Sequence, residues 1–368
     1  MSAVTPRAAL SALPAYAAGK PPQPVEGLEA FKLSSNENPW GPVPAARDAI
    51  AEAAGRMHRY PDPTASALRE RIGAHLSVPA EDVVTGAGSL GALTQIIAAF
   101  AGTASDGRGD EVIYAWRSFE AYPIVVGTAG ATGVQIPNRA DGSHDLEAML
   151  AAITPRTRVI LLCTPNNPTG PSLRQDETDR FLEQVPEHIL VVIDEAYQEF
   201  QGDPELVDGV RTCRRRPNVV ALRTFSKAHG LAGLRVGYSV SQPEITASLR
   251  KVATTFAVTD IAQAAAIASL DHLDQVEERV GRIVAERERI LERLGELGWD
   301  VPQTRANFVW LPLGDDARRF AEICAGQALS VRAFDGDGVR VSVDVPEAND
   351  RFLEICSNFS PAPRHVGS

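Results

Sequence analysis

Thr224-Phe225-Ser226-Lys227-Ala228-His229-Gly230-Leu231-Ala232-Gly233-Leu234-Arg235-Val236-Gly237-Tyr238 places a lysine, two hydroxyls and an arginine among small residues. The apolar runs Val219 to Leu222 and Val236 to Val240 bracket these groups. Short β-branched runs of this kind read as buried strands, so Lys227 falls just beyond the end of one. Lysine is scarce in this chain, at positions 20, 32, 227 and 251 only, while arginine is abundant. An amine desolvated among small residues sheds its charge and forms Schiff bases, which a guanidinium does not do. Taken alone, Lys227 is equally well read as a surface residue, and its neighbours decide. Thr224 and Ser226 with the donor fork of Arg235 suit a phosphate dianion.

Outward from this stretch, between about Ala45 and Val240, apolar runs alternate with segments of helical period. That pattern predicts crossover units and a mainly parallel sheet. Strands are expected at Glu111 to Tyr114, Val159 to Cys163, Leu190 to Asp194, Val219 to Leu222 and Val236 to Val240, with helices such as Ala67 to Leu76, Leu90 to Ala101 and Asp176 to Gln184 between them. Val276, Val280, Val284, Ile290 and Leu294 form the apolar stripe of a long helix over about Asp274 to Leu297. Beyond it, strands at Asn307 to Leu311 and Val339 to Val343 and a helix around Asn349 to Phe359 suggest a smaller α+β unit. The expected architecture is α/β, a large domain whose central sheet is flanked by helices, plus that smaller domain. The expected boundaries are an N-terminal arm and loop over 1–44 joining the small domain, a large domain over 45–265 and a small one over 266–368.

In sheets of this kind ligands gather beyond the carboxyl ends of the strands, so the residues after each strand carry the chemistry. Gly86-Ala87-Gly88-Ser89 follows Val83-Val84 and opens a helix, where backbone amides at a positive terminus can approach an anion. Val191-Val192-Ile193-Asp194-Glu195-Ala196-Tyr197 ends an apolar strand on an aspartate. Such a carboxylate calls for a cationic partner, for which a protonated pyridine ring is suited, or else caps the next helix. Thr164-Pro165-Asn166-Asn167-Pro168-Thr169-Gly170 follows another strand, and its prolines and glycine fix a turn that aims the Asn167 amide at the same edge.

Composition narrows the function classes. Hydrophobic residues at 44% and charged residues at 23% are ordinary for a globular enzyme. A net charge of -11 argues against general affinity for nucleic acid, and no apolar run is long enough to span a bilayer. Cys163, Cys213, Cys324 and Cys356 lack the spacing of a metal site or a disulfide framework, which suits a reducing cytoplasm. The segment from Met1 to about Gln23 lacks the layout of a secretory signal and reads as a mobile arm or packing segment.

With the four segments in this order, the chain resembles the fold type I pyridoxal-phosphate aminotransferases, in particular the class I/II group that contains histidinol-phosphate and aromatic aminotransferases. The likeness runs from about Leu33 to Phe359. It implies pyridoxal 5'-phosphate held as an imine on Lys227, with Asp194 on the pyridine nitrogen and Tyr197 and Asn167 on the phenolate oxygen. Ala87, Gly88, Ser89, Thr224, Ser226 and Arg235 would surround the phosphate, and Phe119 would stack on the ring. Arg340, in Gly338-Val339-Arg340-Val341-Ser342, matches the arginine that clamps a substrate carboxylate. Tyr60, in Arg59-Tyr60-Pro61-Asp62-Pro63, matches a tyrosine that reaches the neighbouring subunit's phosphate, which implies a homodimer. Two departures stand out. Ala87-Gly88 replaces a frequent Asn-Gly, and Arg117-Ser118-Phe119 replaces Pro-Thr-Tyr.

The resemblance also implies a ping-pong exchange between an amino acid and a 2-oxo acid. Ser34-Ser35-Asn36-Glu37-Asn38-Pro39-Trp40-Gly41-Pro42 resembles the substrate loop of the histidinol-phosphate group, which makes Asn36 and Trp40 candidate substrate contacts. Trp40 stands where tyrosine is common, and it can cover an aromatic ring but offers no hydroxyl to a phosphate. We therefore expect phenylalanine, tyrosine and tryptophan as donors. Arg332, before the Arg340 strand, keeps histidinol phosphate open as an alternative. The same fold and cofactor residues also serve β-lyases. A regulator with an aminotransferase-like domain is disfavoured because there is no room for a basic DNA-binding domain before Leu33.

Overall fold

The apolar runs form the strands of one twisted sheet. In this computed structural model, which describes residues 4–11 and 13–360, seven strands line up: β1 (Val83–Ala87), β2 (Glu111–Trp116), β3 (Thr132–Pro137), β4 (Thr157–Cys163), β5 (Leu190–Asp194), β6 (Val219–Thr224) and β7 (Val236–Val240). Their order is β1-β7-β6-β5-β4-β2-β3. The pairs β6/β5, β5/β4, β4/β2 and β2/β3 are parallel, while β7 runs antiparallel to both its neighbours. Residues 1–3 of the expected N-terminal arm, with residue 12, lie outside the described residues.

Both faces of the sheet are covered, which is why its central strands read as continuous apolar runs rather than alternating ones. Val191 and Ile193 of β5 join one core, together with Ile160, Leu162, Val219 and Ala221. Leu190 and Val192 join the other, with Val159, Leu161, Val220 and Leu222. Helix α1 (Gly88–Phe100) covers the second face through Ala92, Leu93, Ile96 and Ile97. Each such aliphatic side chain, fully buried, contributes about 1.5–3 kcal/mol, so the strand ends that carry polar groups are firmly anchored. The edge strand β3, absent from the sequence expectation, is mostly exposed and contains Gly133 and Pro137. Exposed Thr132, Gly133, Gln135 and Pro137 interrupt it, so it lacks the unbroken apolar run that marks its neighbours.

Helix α2 (Tyr122–Thr128) follows the turn after β2. The amphipathic helix α3 (Leu273–Glu296) buries Val276, Val280, Ile283, Ile290 and Leu294. A second sheet has the order β9-β10-β8, built from β8 (Phe308–Leu311), β9 (Arg332–Phe334) and β10 (Gly338–Ser342), all antiparallel. Helix α4 (Pro346–Asn358) closes this part of the chain. Residues Phe31–Lys32 pair in parallel with Leu329–Ser330, and Ser342 donates its amide to the Leu33 carbonyl. The segment before Asn36 is thereby tied to the C-terminal sheet. No helix among the described residues is long and apolar enough to cross a membrane.

Candidate active site

The ends of β4, β5 and β6, the opening of α1 and the loop around Asn36 converge on Lys227. Its side chain follows β6, and its Nζ donates to the carbonyls of Ser35 (3.0 Å) and Asn36 (3.1 Å). Asn36 has a left-handed backbone, φ 53°. Burial, reinforced by the positive charge of Arg340, pulls the Lys227 amine down to about 7. At neutral pH a large share of it is therefore unprotonated and nucleophilic. The ring of Tyr197 lies 5.7 Å from Nζ, and the Tyr197 hydroxyl accepts from Asn36 Nδ2 at 3.0 Å.

Asp194 closes β5 and is buried. Its Oδ2 accepts from the Tyr122 hydroxyl at 2.7 Å, while its Oδ1 is buried without a partner. Burial raises its carboxyl to about 6, against the opposing pull of the Tyr122 hydrogen bond. The adjacent Glu195 differs. Its Oε2 accepts from Arg223 Nε at 3.0 Å and its Oε1 from the Gly209 amide at 2.6 Å. The structure thus neutralises one carboxylate internally and leaves the other with an oxygen aimed at nothing the protein supplies. Asp194 does not cap a following α-helix, since a short 3-10 turn, Gln198–Phe200, comes next.

Ser226, Arg235 and the start of α1 form a compact group. Arg235, itself left-handed at φ 55°, donates to Ser226 Oγ (3.2 Å) and to the Ala232 carbonyl (2.8 Å). The Ser226 amide donates to Thr224 Oγ1 at 3.1 Å. Gly88 has φ +73°, and a Cβ there would collide with the Arg235 guanidinium. A Cβ at Gly237 would likewise strike the backbone of Gly88 and Ser89. The two glycines let the amides of the turn from Ala87 to Ser89 settle beside Arg235, a concave array of donors at a helix N-terminus suited to a phosphate.

Arg340 projects from β10 and is buried. It donates to Asn167 Oδ1 (2.5 Å) and to the Ser34 carbonyl (2.8 Å), and its Nε has no partner. Asn167 therefore spends its carbonyl on Arg340 and keeps its amide group for another acceptor. Ser342, two residues on, donates to Asn36 Oδ1 and accepts the Asn36 amide. Asn307 donates to the Asn36 carbonyl that also receives Lys227. Phe119 packs edge-on against Tyr122 at 5.6 Å. Arg332 lies opposite Arg340 across the β9/β10 pair and is gripped by Glu120. Trp40 is partly buried against the core, with Arg282 over its ring. Tyr60 stands apart. It is 84% exposed and stacked on Phe256, outside the cluster its own chain forms.

A family model described as aminotransferase class I and II matches residues 29–354. The chain belongs to that family. Among relatives of this class I/II aminotransferase, the aromatic amino acid aminotransferase of Streptomyces avermitilis is 50% identical over 98% of this chain and 99% of its own length. The protein of that name from Thermobifida fusca is 50% identical over 96% of each chain. The solved histidinol-phosphate aminotransferase of Sinorhizobium meliloti, in complex with pyridoxal-5'-phosphate, superposes with a TM-score of 0.82 at 28% identity, covering 90% of this chain and 91% of that one. The fold is the one shared by these aminotransferases.

Sequence reading missed three members of this aminotransferase site. Tyr122 has no role in the sequence reading, although among the described residues its hydroxyl is the only side-chain hydrogen-bond partner of the Asp194 carboxylate. Asn307, just before β8, and Ser342, at the end of β10, position Asn36. Their partners lie 72, 271 and 306 residues away. Only the position of Asn307 and Ser342 at strand ends hinted at a site.

Proposed function

We propose that this chain is a pyridoxal-phosphate-dependent aminotransferase that takes its amino group from phenylalanine, tyrosine or tryptophan and passes it to a 2-oxo acid. The observation that carries the choice of donor is the near full-length identity of about half to relatives named aromatic amino acid aminotransferases.

The residues present fit the cofactor. The orphaned Oδ1 of Asp194 suits a protonated ring nitrogen, and the glycine-opened turn beside Arg235 suits its phosphate. When bound, the group supplies an aldehyde for the amino acid and an electron sink that acidifies the α-proton. Lys227 offers an amine that is substantially neutral at pH 7, able first to anchor the aldehyde and then, once displaced, to carry a proton to and from the substrate at Nζ. Asp194 stabilises positive charge on the ring. Tyr197 and the Asn167 amide would hold its oxygen substituent, Phe119 would lie against the ring, and Arg340 would pair with the substrate carboxylate. Asn36 and Trp40 border the donor's side chain.

The same reading makes the active unit a homodimer in the cytoplasm, with the exposed Tyr60 reaching its partner, and divides the chain at about residues 44 and 265. Histidinol phosphate is the second reading, favoured by the likeness to the Sinorhizobium meliloti enzyme and by the presence of Arg332. Mixing the yellow holoenzyme with single donors and following loss of its colour separates the two. Bleaching by phenylalanine but not by histidinol phosphate is expected, and the reverse pattern overturns the aromatic assignment.

A further inference from the structure

Among the described residues, the largest fully buried side chain is a charged one, that of Arg287 on α3, which is 1% exposed. Its Nη1 donates to the carbonyls of Phe200 at 2.9 Å and Ala306 at 3.1 Å. Its Nε and Nη2 donate to Glu288 Oε1 at 3.1 and 2.8 Å. That carboxylate is 51% exposed, so water answers much of its charge. Burying a guanidinium without a buried counter-ion is unfavourable, and an apolar side chain would fill the same helix face with less desolvation. What the arginine adds is a single group that holds two backbone carbonyls.

Those carbonyls belong to the two segments that hold Asn36. Phe200 ends the 3-10 turn after Tyr197, and its amide donates back to the Tyr197 carbonyl at 3.1 Å. Ala306 immediately precedes Asn307. The Tyr197 ring also packs edge-on against Phe308 at 5.2 Å, so the two segments are joined twice, by a ring pair and by the guanidinium. From this frame the Tyr197 hydroxyl accepts from Asn36 Nδ2 at 3.0 Å, and Asn307 Nδ2 donates to the Asn36 carbonyl at 3.1 Å. The same carbonyl receives Lys227 Nζ at 3.1 Å. A further bond, from the Arg305 amide to the Gly170 carbonyl at 3.0 Å, fixes the second segment against the turn that carries Asn167.

We propose that Arg287 is a positioning residue: by clamping the Phe200 and Ala306 carbonyls it keeps Tyr197 and Asn307 in register on Asn36, and through the Asn36 carbonyl it aims the Lys227 amine. This role rests on the reading of Lys227 as the working amine of the site. Arg287 acts at two removes from that amine and is not itself catalytic. A displacement of about 1 Å at a reacting group can cost about 100-fold in rate, so a buried helix residue can govern turnover in this way.

Amide hydrogen exchange, followed by mass spectrometry on the cofactor-free protein and its Arg287→Met variant, tests the frame without any turnover. The Asn36 amide is held by Ser342 Oγ at 2.7 Å, so exchange over residues 33–38 reports how firmly that loop is kept. Exchange there is expected to quicken about tenfold in the variant, together with 304–308, while β6 stays unchanged. Quickening confined to 198–201 and 304–308 would make Arg287 a local prop and overturn the proposal. In the holoenzyme, kcat for phenylalanine should fall about tenfold and KM change by less than about threefold, because Arg340 keeps its own hold on Ser34 and Asn167. A raised KM with kcat intact would also overturn the proposal. Arg287→Lys, which keeps the charge but offers a point donor in place of a fork, should show smaller changes of the same kind, and serves if the methionine variant does not fold. An unaltered holoenzyme that ignores phenylalanine would instead overturn the choice of donor, while the exchange comparison still decides the role of Arg287.

Discussion

The edge of the large sheet and the face of the small one both present arginines and carboxylates, but they handle charge in opposite ways. At the large sheet, Asp194 is buried with an unpaired oxygen, Lys227 is desolvated toward neutrality, and Arg235 is held beside the glycine-opened turn at the start of α1. At the small sheet, Arg332 and Arg117 already have carboxylate partners, and Arg340 alone keeps its charge for a ligand. Buried groups left unsatisfied are costly to a folded protein unless a ligand completes them. The large-sheet edge therefore fixes which cofactor chemistry is available. The small-sheet face instead answers its arginines largely from within the chain.

The sharpest way to break this division is at Lys227. Lys227→Ala should abolish the imine absorbance and lower turnover by about 10^4-fold or more, the upper range for losing a positioned proton carrier. The cofactor should still bind, since Asp194 and the phosphate cradle remain. Retention of both the imine spectrum and turnover would remove the basis of the whole assignment. An intermediate effect is expected at the phosphate cradle. Gly88→Ala places a Cβ at φ +73° and drives Arg235 from its position, with a backbone strain of about 1–2 kcal/mol. Cofactor affinity, titrated by absorbance, should fall about tenfold or more, with little change in the ratio of phenylalanine to histidinol phosphate turnover. An unaltered affinity would show that the turn is not the anion site.

How much of this was legible in the sequence follows the same division. Groups of the large sheet stand at or just after the ends of apolar strands, so Lys227, Asp194, Asn167 and the turn from Ala87 to Ser89 are marked as candidates by position, while their roles come from the family resemblance. Their burial on two-faced strands makes the strands conspicuous as unbroken apolar runs. β3 escaped because an exposed edge strand with glycine and proline carries no such run. Charge pairing across the small sheet escaped for a different reason. Nothing in the local pattern around Glu120 announces that its partner is Arg332, 212 residues away, and the sequence reading accordingly left Arg332 open to a phosphate. Tyr122 was hidden in the same way, because an amphipathic helix start accounts for a tyrosine without invoking Asp194.

That hidden tyrosine gives the smallest of the expected effects. Asp194 is held at about 6, above the ordinary aspartate range, by burial, and the Tyr122 hydroxyl opposes the rise. Tyr122 is buried and its own ionisation is pushed well above the usual range, so it stays a donor at any accessible pH. An acid whose folded-state pKa is raised binds its proton more tightly when folded, so the cofactor-free protein should lose stability as pH climbs from about 4 to about 6 and then level off. Tyr122→Phe keeps the ring and deletes the opposing hydrogen bond, so the decline should continue to roughly one pH unit higher. An Asp194 that ionises less readily is also a weaker partner for a protonated ring nitrogen, and turnover at pH 7 should drop by a modest factor of about three to ten. Urea unfolding of the cofactor-free protein and its Tyr122→Phe variant between pH 4 and 8 measures the first effect. Superimposable stability profiles would mean that the large-sheet edge does not tune its carboxylate through Tyr122, and that burial alone sets it.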